Sequence, residues 1–208
     1  ANPSAEASRF GIALNEGLSA GTISTAAKQP LAINPYLTDA ARKHAQWMVD
    51  NDVFSHTGAS GTDPGQRMTN AGYAFTGSWS WGENISWSGT TGTPNQTTYT
   101  ETLHQNLFVD SGVAGRGHRL NILSANFREV GPGVVSGPFT GYNAVMATED
   151  FAYSGTGSFL TGVVYKDAVS ADSFYTPGEG LGGITIQATR TSDSAVFSTT
   201  TFSSGGYS

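Results

Sequence analysis

The stretch Thr98-Tyr-Thr-Glu101-Thr-Leu103-His104-Gln-Asn-Leu107-Phe108 and the later run Val130-Gly-Pro-Gly-Val-Val135 follow two different periods. In the first, Leu103, Leu107 and Phe108 recur three or four residues apart, as on one face of a helix. Gly112, Gly115 and Gly117 break that pattern. Beyond them the chain turns to short β-like runs, 130–135 and 144–152, separated by Gly/Pro turns. Helices first and strands afterwards point to an α+β domain.

Reading back toward the N-terminus, a helix over 36–49 follows Asn34-Pro35. Leu37, Ala40, Ala41, Ala45, Trp47 and Met48 form its stripe, with Asp39 in the first turn favourable to the macrodipole. Phe10, Ala13, Leu14 and Leu18 predict an earlier helix over 6–18, closed by Gly21. Residues 66–71 read as a short helix, and 57–65 and 86–98 as Gly/Thr/Ser loops. Reading forward, Ser154-Gly-Thr-Gly-Ser158 has the composition of a flexible linker. It separates a first domain, 1–153, from a β-like segment, 159–208, with strands expected at 159–165, 183–189 and 195–202. An independent sandwich needs about seven strands, so this segment reads as a partial one.

Composition narrows the function classes. The 208 residues carry a net charge of −6, with only 12% charged residues and 27 glycines. Solubility therefore rests on hydroxyls and amides, which suits an extracellular protein. The negative balance offers no basic stripe for nucleic acid or for an anionic membrane surface. The absence of cysteine removes disulfides, thiolate metal sites and a cysteine nucleophile together. No apolar run approaches the ~18 residues that span a bilayer. Nothing at Ala1-Asn2-Pro3 has the make-up of a signal peptide, so any such signal is expected to have been removed.

Three short strings join functional side chains to turn residues: Phe54-Ser-His56-Thr-Gly, Trp81-Gly-Glu83-Asn-Ile, and Gly117-His118-Arg-Leu-Asn-Ile-Leu123. In this order, with Asp63-Pro-Gly-Gln-Arg67 between them and Asn126-Phe-Arg-Glu-Val-Gly131 and Ala147-Thr-Glu-Asp-Phe151 after them, the chain resembles the bacterial branch of the CAP (SCP-like, pathogenesis-related-1-like) family over residues 6–152. The resemblance implies a three-layer α-β-α sandwich. It also implies a central cavity lined by two His and two Glu that in some members holds a divalent cation. His56 and Glu83 match the first His and Glu. The second His of eukaryotic members falls near Met146, and the bacterial string offers His118 in its place. The second Glu falls near Asp110 or Ser111, with Glu101 and Glu149 as substitutes.

Two readings of His56, Glu83 and His118 stand side by side. Two neutral imidazoles and a carboxylate suit a zinc-like ion with an open position for water. Equally, the three residues satisfy one another by hydrogen bonds and tie loops to the core. His104 with Glu101 forms an i, i+3 pair able to face the same cavity. Arg67 and Arg119 read as loop clamps. Trp79, Trp81 and Trp87 serve either a ligand groove or the packing of a Gly-rich loop. In the tail, Asp167, Asp172, Phe174 and Glu179 resemble the acidic loop of bacterial surface B-type repeats, which implies calcium. This copy departs from the pattern at Val169, Ser170, Ser173 and Thr176.

The expected function is an extracellular binding module for a small molecule, a polysaccharide or a protein partner. Two alternatives accompany it: a metal-dependent extracellular hydrolase with Glu83 as general base, and a structural surface or adhesion segment. No His-Glu-x-x-His motif favours the hydrolase.

Overall fold

The computed structural model describes residues 2–208. The chain divides into two compact units, Ala1–Gly157 and Ser158–Ser208. The first is an α+β domain of three layers.

Its centre is a four-stranded sheet in the order β1-β3-β4-β2, built from β1 (Ala32–Ile33), β2 (Trp79–Thr90), β3 (Glu129–Phe139) and β4 (Tyr142–Ser154). The long strands pair antiparallel, while β1 runs parallel to β3. Side chains alternate across a strand, and the two faces of β4 sort accordingly. Ala144 and Met146 pack with Ala45, Met48 and Val49 of α2 (Pro35–Asp50), whereas Val145 and Ala147 pack with Leu103 of α4 (Gln96–Val109). The helical layers thus lie on opposite faces. Helix α2 begins with Pro35 at its first position and Asn34 accepting from the amides of Tyr36 and Leu37, which satisfies two donors that every helix start leaves over. It approaches β3 closely because Gly131 and Gly133 have no side chain. A Cβ at either would lie 2.1 or 2.2 Å from α2 backbone atoms. Leu37 and Met48 are fully buried there, and truncation of either to Ala would cost about 2–5 kcal/mol.

Three elements differ from the expectations. The first helix, α1, runs Pro3–Arg9, not 6–18. Gly11 and Gly17, at φ 70° and 74°, turn the chain out of helical conformation, so Leu14 and Ile23 reach the cluster around Ala7, Phe108 and Leu123 from turns. Residues 79–90, partly expected as a loop, form the 12-residue strand β2. Residues 117–122 form a short helix, α5 (Gly117–Ile122). The short helix expected at 66–71 is α3 (Pro64–Asn70), opened by a reciprocal capping box between Asp63 and Gln66.

The second unit holds two two-stranded sheets. In one, β5 (Gly162–Val163) pairs with β8 (Gly206–Tyr207); in the other, β6 (Thr185–Thr189) pairs with β7 (Val196–Thr200). Its buried side chains are Glu179 and Thr201, while Phe159, Leu160, Phe174 and Phe197 are exposed. Hydrogen bonds organise this unit more than an apolar core does.

Candidate functional site

Strand β2 decides where the site lies. Its alternation sends Trp81, Glu83 and Ile85 toward α2 and α3, while Gly82 and Asn84 face Asn121 of α5. Glu83 is buried. Its Oε1 accepts from Nδ1 of His56 at 2.8 Å and its Oε2 from Nη2 of Arg67 at 2.5 Å. The second Arg67 nitrogen, Nη1, donates to the carbonyls of His56 and Thr62. One guanidinium therefore fixes both the carboxylate and the loop that carries its imidazole partner. His44 of α2 completes the surround, with Nε2 4.0 Å from Glu83 Oε1 and donating to the Ser55 carbonyl at 2.9 Å. Burial pushes the Glu83 carboxyl upward, but the His56 hydrogen bond and the charges of Arg67 and His44 outweigh it and hold the group below the usual carboxylate range. Burial likewise pushes the His44 imidazole down.

Asp150 lies directly across the β2–β4 pairing from Glu83 and is fully buried. No N–H or O–H donates to either of its carboxyl oxygens. Burial, and then the Glu83 charge beside it, push its carboxyl well above the ordinary range. Two adjacent buried carboxyl groups disfavour a second charge, and the raised group that takes up a proton more readily is Asp150.

His118 stands elsewhere. Its Nδ1 meets Asp110 Oδ1 at 2.7 Å, and its amide donates to Asp110 Oδ2 at 2.9 Å. Asp110 sits in the left-handed conformation that ends α4. From there its buried carboxylate answers the first free amides of α5. His104 makes a third such pair, Nδ1 to Glu149 Oε1 at 2.6 Å, and this hydrogen bond raises the His104 pKa. Asn84 joins the last two pairs, since its Nδ2 donates to the His118 carbonyl and to Glu149 Oε2. Glu101 is exposed on α4 and joins none of these pairs.

The structure therefore brings His56 and Glu83 together, whereas it pairs His118 with Asp110 and His104 with Glu149. In all three pairs the carboxylate takes Nδ1. Among the described residues, none of the three Nε2 atoms has a hydrogen-bond partner. His44 and Asp150 also stand in the shell around Glu83, and no motif or spacing in the sequence marks either of them.

The donor set does not fit a zinc-like ion as arranged. Both Glu83 oxygens are engaged, one by a cationic guanidinium that would repel a metal, and Asp110 holds the His118 ring. Among the described residues no group of three or more His, Cys, Asp or Glu side chains is placed to hold a metal ion. The acidic loop of the second unit is closed in a similar way. Glu179 Oε1 accepts from the amides of Ala168, Val169 and Ser170, and Oε2 from that of Thr176. Asp167 accepts from the amides of Asp172 and Ser173, and Asp172 from that of Phe174. Backbone N–H groups occupy the oxygens a calcium ion would need. They hold the Glu179 carboxyl below its ordinary pKa, those of Thr176 and Ser170 most strongly.

A cleft of about 260 Å³ opens beside His118, walled by Phe54, Ile85, Trp87 and Leu107, with Ser86 and Ser111 among its polar groups. The loop that carries His56 and the strand that carries Glu83 thus supply Phe54 and Ile85 to it. Gly17-Leu18-Ser19-Ala20-Gly21 has the Gly-x-Ser-x-Gly spacing of a nucleophile elbow. It lies among turns with no strand before it and no helix after it, so it lacks the context that spacing requires.

The family model described as CAP, the cysteine-rich secretory protein family, matches residues 20–151. Among solved structures, an extracellular protein containing a SCP domain from Bacillus anthracis is 22% identical with a TM-score of 0.43, covering 60% of this chain and 34% of that one. The chain thus spans about a third of that protein's length. An outer surface protein from Borrelia burgdorferi is 17% identical with a TM-score of 0.45, covering 62% of this chain and 80% of that one. No curated protein matches.

Proposed function

We propose, from the premise that this chain belongs to the CAP (cysteine-rich secretory protein) family, that it is an extracellular binding module whose His118 cleft takes a small ligand with an apolar body and one hydrogen-bond donor. The observation that carries this reading is the orientation of the imidazole. A carboxylate only accepts, so Asp110 keeps a hydrogen on His118 Nδ1, and in the neutral ring Nε2 then presents a lone pair. The aromatic and aliphatic walls answer an apolar body. Extracellular placement is supported by the secretory family and by a surface built on hydroxyls and amides. No helix among the described residues is long and apolar enough to cross a membrane.

Benzyl alcohol and toluene share a body and differ by the donor. In amide and indole NMR titrations of the whole chain, benzyl alcohol should shift Trp87, Ser111 and His118 at lower concentration than toluene does, and His118→Ala should abolish the difference. Equal binding of the two probes, or shifts elsewhere only, would sink the reading.

A further inference from the structure

A second groove lies away from the imidazole pairs, between α3 and the first residues of β2. We propose that it binds a neutral saccharide. Its volume is about 510 Å³, and its walls are Phe75, Trp79 and Trp81, which suits a ligand of one or two sugar rings.

Trp79 is half exposed at the first position of an edge strand. Its ring is held by Phe75, 5.0 Å away and tilted by 50°, and Phe75 is braced in turn by Tyr73 at 4.9 Å. The indole is thus an open platform already fixed in place. Trp81 forms the floor against Gly65 of α3, where a Cβ would lie 2.4 Å from the indole Nε1. The electron-rich face of an indole suits the weakly positive C–H face of a pyranose ring.

The rim decides the chemical class. It carries Asp63, Gln66, Thr69 and Asn70. The capping box engages Asp63 Oδ1 and Gln66 Oε1, which leaves Asp63 Oδ2 and the Gln66 amide N–H groups without a partner among the described residues. Donors and acceptors therefore alternate around an aromatic floor, as the hydroxyls of a sugar require, each being donor and acceptor at once. An anionic ligand meets no free cation, because Arg67, the basic residue of α3, is turned to Glu83 and two carbonyls, and the chain carries −6 overall. A quaternary ammonium would use the rings but leave the amide donors unanswered. An apolar ligand would strand the whole rim.

Cellobiose, maltose and N,N′-diacetylchitobiose are the probes, followed on the full chain by tryptophan fluorescence and amide NMR. At least one should bind saturably with a Kd on the order of 1 mM, shifting Trp79 and Asn70. Trp79→Ala should weaken that binding by about tenfold or more, Trp79→Phe should restore part of it, and His118→Ala should leave it unchanged. That last variant separates this groove from the cleft proposed above. The proposal is overturned if none of the three sugars perturbs Trp79 or Asn70, if Trp79→Ala binds as well as the parent, or if choline binds where the sugars do not.

Discussion

Glu83 and Asp150 face each other across the β2–β4 pairing, the first held ionised by Arg67 and His56 and the second buried without a donor. The folded-state pKa of Asp150 is raised. Its contribution to stability is therefore fully present below the unfolded Asp value near ~3.9 and is lost as pH rises through the folded value, at up to ~1.4 kcal/mol per pH unit. Asp150→Asn keeps the shape, supplies N–H donors to Glu83 and cannot ionise. The variant should gain on the parent in thermal midpoint as pH is raised from 4 to 9. A deficit of the same size at every pH would show that Asp150 is not the protonated partner.

The two clamps on Glu83 should differ in cost. Arg67 is nearly as buried as the carboxylate, while the His56 side chain is half exposed. Arg67→Ala leaves a buried charge short of its strongest partner, a loss of about 3–5 kcal/mol. His56→Ala lets water approach Oε1, with a loss of about 1–2 kcal/mol. Denaturant unfolding of the two variants gives the order directly, and a larger loss for His56→Ala would contradict this assignment.

Residues 158–208 bury Glu179 and Thr201 but leave most of their large apolar side chains exposed, and two-stranded sheets alone are marginal in water. Expressed by itself, this segment should show no cooperative thermal transition. In the whole chain, Glu179→Ala should speed hydrogen exchange at the amides of Ala168, Val169, Ser170 and Thr176, which that carboxylate collects. Unchanged exchange at those four positions would show that another group organises the loop.

The layered α+β architecture was legible from the helical stripe at Leu37–Met48 and from the change of period after Gly117. Strand β2 was not, because its bulky face, Trp79, Trp81, Ile85 and Trp87, alternates with Ser, Gly and Asn that read as loop residues. Once β2 and β4 are paired, the same alternation explains the site. Neighbours Glu149 and Asp150 point to opposite faces, so Glu149 meets His104 while Asp150 meets Glu83. The sequence shows two adjacent acids and no sign of which face either takes. The pairing of His118 with Asp110 depends on a left-handed turn at Asp110, a conformation that Asp tolerates but that spacing alone does not announce.

Carboxylates hold Nδ1 of three imidazoles, His56, His104 and His118, while His44 is set the other way by the Ser55 carbonyl, which can only accept, from Nε2. Long-range proton–nitrogen NMR at alkaline pH, where the rings are neutral, reads the tautomer of each histidine. His56, His104 and His118 should carry their hydrogen on Nδ1 and His44 on Nε2. Nε2–H on His118 would remove the lone pair assigned to ligand recognition, and Nε2–H on His56 would mean that Glu83 does not set that ring; either result overturns the assignment.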